Sequence, residues 1–108
     1  MSVVTNVTIL CGLIEEADEG SGVPGIQFIN QYLERNKKGT LNDISSYAGG
    51  KKGMETFLYA GAFNYLDKKE FIEAFNAAPW VDDNAQLLIK EQEAANYSLI
   101  VLRSENKG

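Results

Sequence analysis

Residues 54–66 read METFLYAGAFNYL, and the period assigned to them decides the fold. At a spacing of two, Phe57, Tyr59, Phe63 and Tyr65 share one face while Leu58, Ala60, Ala62 and Leu66 share the other. At helical spacing, Met54, Phe57, Leu58, Gly61, Ala62 and Tyr65 align almost as well. The aromatic density and the central glycine favour the strand, because rings suit a pleated surface and glycine weakens a helix. Gly61 then relieves crowding between large side chains.

Immediately downstream lies the clearest boundary in the chain. Asp67 and Glu70 stand three apart as a capping pair, and Leu66 and Phe71 occupy the positions of a hydrophobic staple. A helix therefore starts at Asp67, buries Phe71, Ile72 and Phe75, and is closed by Pro79. Trp80 is expected to fold back as a lid on the core edge, with its indole nitrogen in need of an acceptor. Two alternating runs follow at residues 85–92 and 97–102, joined by a polar connector of hairpin length. Residues 103–108 read as a frayed polar tail.

Upstream, residues 3–14 are aliphatic and β-branched on both faces and read as a central strand covered on both sides. Residues 15–25 carry four carboxylates, three glycines and a proline, the composition of a long solvated loop. From Ile26 the period changes: Ile26, Ile29 and Leu33 form a helical stripe widened by Phe28 and Tyr32. Pro24 marks its start, Arg35, Lys37 and Lys38 suit its negative end, and Gly39 is placed to break it. Residues 40–47 make a short or partial edge strand around Leu41 and Ile44, and Gly49, Gly50 and Gly53 frame a turn.

The order is thus strand, helix, strand, strand, helix, strand, strand. It predicts an α+β fold: an antiparallel sheet with two helices on one face, ferredoxin-like βαββαβ with an additional C-terminal strand. Residues 1–108 are expected to form a single domain. Two short helices cannot cover both faces of the 54–66 strand, and an uncovered apolar sheet surface usually means association. A homodimer joined through a sheet face or an edge strand follows. The plain alternative has loops and Trp80 cover the second face.

Composition narrows the chemistry. Ten Lys and Arg against fifteen Asp and Glu leave a net charge of −5, and there is no histidine. Ser-His-Asp and Cys-His pairs are excluded, as are imidazole metal ligands. The lone cysteine, Cys11, reads as a buried structural thiol in a reducing compartment. No apolar run approaches the ~20 residues of a bilayer crossing, and the first residues lack a secretory leader pattern. A cytoplasmic address is expected, with neither nucleic acid nor membrane as partner, since excess acid repels both.

Three constellations remain as candidate sites. Glu15, Glu16, Asp18 and Glu19 cluster beside glycines, yet lack the alternation and closing glutamate of an EF-hand; they read as a solvated loop able to attract a basic protein partner. Gly50, Lys51 and Lys52 form the one basic cluster suited to an anion, although the spacing of a P-loop is missing and a mobile basic turn is the favoured reading. Tyr59, Phe63, Tyr65 and Trp80 are the set for an aromatic ligand pocket between sheet and helices. No catalytic set, metal site or cofactor is assigned. The leading functional expectation is a noncatalytic acidic interaction or regulatory protein. The alternative is a small-ligand binder or cofactor-independent enzyme built on the aromatic set.

Overall fold

The chain is described here by a computed structural model, which places residues 4–16, 22–45, 56–81, 84–92, 94 and 96–102. Strand β1 (Val4–Gly12) is hydrogen-bonded along both edges, antiparallel to β3 (Thr56–Asn64) on one side and to β4 (Gln86–Glu91) on the other. Two short strands complete the sheet, β2 (Asn42–Asp43) outside β3 and β5 (Ser98–Val101) outside β4. The resulting five-stranded antiparallel sheet has the order β2-β3-β1-β4-β5. With helices α1 (Pro24–Arg35) and α2 (Lys68–Ala77), the fold is α+β.

The 54–66 ambiguity resolves as strand over Thr56–Asn64, with Val7 opposite Gly61 and Ile9 opposite Tyr59. This register gives the sheet an inner and an outer face. Thr5, Val7, Ile9 and Cys11 are buried on the inner face, together with Phe63, Leu87 and Ile89. Ile26, Ile29 and Leu33 of α1 and Phe71 and Phe75 of α2 join them in one buried cluster. Each helix hides a single apolar stripe, as the 3.6-residue period requires. The even-numbered residues of β1 face the other way, and Asn6 among them is exposed. Cover on this outer side is partial: Val4, Thr8, Leu10 and Gly12 are half-buried there, and the helix stripes pack on the inner side.

Local chemistry sets the helix ends. Asp67 caps α2 by accepting a hydrogen bond from the Glu70 backbone N–H at 3.0 Å, and the staple residues Leu66 and Phe71 are both buried. In α1, Pro24 is the first helical residue, where its missing N–H costs nothing. The C-terminus departs from expectation. Lys37, not Gly39, takes the left-handed conformation that closes the helix (φ 59°). The Lys38 N–H reaches the Leu33 carbonyl at 2.9 Å and the Lys37 N–H reaches that of Glu34 at 3.0 Å, a Schellman closure built on a non-glycine residue. Gly39 is also left-handed (φ 91°), two residues beyond the closure.

Trp80 folds back as the sequence predicts. Its ring centroid lies 5.5 Å from that of Phe75, and its indole N–H donates to the Phe75 carbonyl at 2.7 Å. The ring is so close to α1 that a Cβ on Gly25 would sit 2.4 Å from a Trp80 ring carbon, so only glycine fits there. Gly61 has a similar role within the sheet, because a Cβ there would sit 2.7 Å from the tip of the buried Phe63 ring. Gly61→Val should therefore lower stability by about 1–3 kcal/mol through overpacking. Chemical denaturation measures this, and an unchanged midpoint would contradict the placement of Phe63 over Gly61.

Candidate functional site: the open face of the sheet

On the outer face, cross-strand registers line residues up in rows. One row runs Ala60, Thr8, Leu88, Leu99, and the next runs Leu58, Leu10, Gln86, Val101. Leu10, Leu58 and Leu88 are half-buried, whereas Leu99 and Val101 are each 57% exposed. At the end of β1 the chain turns through a single 3-10 turn, Leu13–Glu15, and this leaves Ile14 62% exposed. A side chain added to Gly12 on the outer face would touch Ile14 at 4.0 Å, so Ile14 extends the apolar rows. The opposite end of the face is polar, with Asn6 opposite Ala62 and Lys90 and with Asn64 opposite Val4. Lys90 is the one charged residue among the described outward positions of the strands.

The residues singled out from the sequence are placed as follows. Glu15 is buried (0% exposed), and its carboxylate accepts a hydrogen bond from the Val81 N–H at 2.7 Å. It tethers the segment after Trp80 to the end of β1 and is not a surface charge, which corrects its place in a solvated acidic loop. Glu16 is half-buried, and Asp18 and Glu19 lie outside the described residues. Gly50, Lys51 and Lys52 also lie outside them.

Of the aromatic set, Tyr59 and Phe63 are on the inner face, Tyr59 half-buried and Phe63 in the core. Tyr65 lies just beyond β3 with a left-handed backbone (φ 55°) and is 61% exposed. The Lys38 ammonium holds that corner by donating to the carbonyls of Asn64 and Tyr65 at 2.7 and 3.1 Å. Tyr65 precedes α2 and Trp80 follows it, and ten helical residues rise about 15 Å. The four aromatics are thus not brought together around one cavity. Cys11 is buried in the sheet's inner face.

Two further features were not foreseen from the sequence. An open groove of about 440 Å³ runs along α2, lined by Lys68, Lys69, Ile72, Glu73 and Asn76. In its lining, Asn76 Oδ1 is buried with no hydrogen-bond partner among the described residues. The Tyr32 hydroxyl donates to Glu70 at 3.1 Å and joins α1 to α2. Helical spacing puts Tyr32 beside Leu33 on α1, but only the packing angle of the two helices shows that it reaches Glu70.

Among the described residues, no group of three or more Cys, Asp or Glu is arranged to hold a metal ion. No helix among them is long and apolar enough to cross a membrane. The chain matches no protein-family model, no curated protein and no solved structure.

Two phenols are perturbed. Burial pushes Tyr32 up to about 12, with the hydrogen bond to Glu70 and the charges of Glu70 and Asp67 adding to it. Burial likewise pushes Tyr59 up to about 12, reinforced by Asp43, Cys11 and Glu16. Below pH 10 both phenols are protonated in the folded and unfolded chain alike. Between about 10 and 12 the unfolded phenols ionise first, so their contribution to stability is lost as the pH rises through this window. Titration of the phenolate absorbance should find two tyrosines ionising near pH 12, one removed by Tyr32→Phe and the other by Tyr59→Phe. Loss of neither late step in those variants would contradict the assignment.

Proposed function

We propose that this chain is a noncatalytic acidic interaction protein whose contact surface is the open face of its sheet. The observation that carries the reading is the pair of apolar rows on a nearly uncharged face of a molecule with net charge −5. Contiguous exposed apolar surface costs solubility and is the usual mark of a binding surface. The separation of Tyr59 and Phe63 on β3 from Tyr65 before α2 and Trp80 after it favours a surface over an enclosed aromatic pocket. The burial of Glu15 favours the sheet over the acidic segment as the place of contact.

We read the architecture as ferredoxin-like with an added edge strand. In support, the first four strands lie in the order β2-β3-β1-β4. The segment containing α1 connects β1 to β2 past β3, and that containing α2 connects β3 to β4 past β1. Such a layout leaves one sheet face without helices, and there the apolar rows lie.

Affinity capture from native lysate tests the reading when wild type is compared with a Leu99→Lys/Val101→Lys variant. Both positions are more than half exposed, so the variant keeps its core. The wild type should retain a macromolecule at low and high salt alike, because apolar contact is not screened, and the variant should release it. An identical captured set from both proteins would overturn the reading.

A further inference from the structure

We propose that the occupant of the open face is a second copy of this chain, packed sheet against sheet about a two-fold axis. This rests on the reading of that face as a contact surface and names its partner. Charge is the first argument. Two molecules of net charge −5 repel each other, and the repulsion is least where no carboxylate faces the partner. Among the described residues of the five strands, the outward positions hold no carboxylate and a single cation, Lys90. Lys90 lies in the polar row, beside Leu88 along β4 and two rows from Leu58, Leu10 and Val101.

Self-complementarity is the second. A two-fold interface brings a patch against itself, so a patch of one sign meets its own sign, whereas an uncharged apolar patch meets nothing unfavourable. The rows alternate bulk with flatness: Leu88 and Leu99 stand beside Thr8 and Ala60, which lets leucines of one sheet settle over the small residues of the other. Facing sheets pack about 10 Å apart, the depth of two interlocked side-chain layers.

Size is the third. Five strands at roughly 4.8 Å spacing give a sheet about 30 Å long at β1 and β3 (9 residues each) but shorter at β4 (6), β5 (4) and β2 (2), a face of roughly 500 Å² in projection. That footprint is smaller than, though of the order of, the ~800 Å² each partner contributes to a standard dimer. Ile14 enlarges it at the apolar end. Pairing through the edge of β5 alone would use four residues and leave both rows in water.

Sedimentation velocity of the full chain over a concentration series decides the matter, with Thr8→Lys at the centre of the face and Leu99→Lys near its margin. Circular dichroism and the denaturation midpoint verify that each variant folds. The wild type should sediment as two chains, and both folded variants should fall to the mass of one. Leu99→Lys alone suffices should Thr8→Lys not fold, because Leu99 is 57% exposed. A wild type that stays at one chain throughout overturns the proposal. That result would leave the face available to a different macromolecule, which the lysate capture detects separately. Two-chain mass retained in the folded variants also overturns it, and places the contact at an edge or on the helices.

Discussion

The architecture depends on the double pairing of β1. Because this strand is bonded to β3 on one side and β4 on the other, it has no free edge, and its side chains are divided between two faces with nothing between them. Alternation sends Thr5, Val7, Ile9 and Cys11 inward, where the stripes of both helices meet them. Each helix has one apolar stripe, and both stripes are used on that side. The outer face of the sheet is what remains when the helices are exhausted. Its apolar rows are a consequence of register, since shifting β1 by one residue would bury Thr8 and Leu10 and expose Val7 and Ile9.

Several costs incurred by this packing are offset locally. A left-handed Lys37 stands where glycine would be easier, at a cost of about 1–2 kcal/mol, and two backbone hydrogen bonds of the helix closure compensate. Tyr65 is left-handed too, and the Lys38 ammonium ties the carbonyls on both sides of its turn. Glu15 is a carboxylate in the interior, and the backbone N–H of Val81 is directed at it. Trp80 closes the end of α2 only because Gly25 leaves room for its ring. These contacts join the segments that the sheet does not connect, and they occupy the helix side.

Most of this was legible wherever a short-range rule governs. Period two in residues 56–64 gave the strand once the aromatic residues were weighed against Gly61, and Asp67, Glu70, Leu66 and Phe71 marked the start of α2 through contacts within five residues. The helix stripes at Ile26, Ile29 and Leu33 and at Phe71 and Phe75 followed from spacing alone. Long-range partners were not legible. Glu15 reads as one carboxylate of an acidic stretch, because the N–H it satisfies belongs to Val81, 66 residues away. Residue preference points to Gly39, while the phase of the helix decides that Lys37 follows its last turn. Alternation groups Tyr65 with Tyr59 and Phe63, but the strand ends one residue earlier, at Asn64. That the aliphatic rather than the aromatic side of β3 is left open could be told only when the helices were placed.

Residue-by-residue amide hydrogen exchange tests the central claim most directly, because it reads strand pairing without reference to any partner. A β1 bonded along both edges should make the amides of residues 5–11 among the slowest in the chain, slower than those of Ser98–Val101 at the margin. Exchange in β1 as fast as in β5 would contradict the doubly paired strand, and with it the division of the sheet into a covered and an open face.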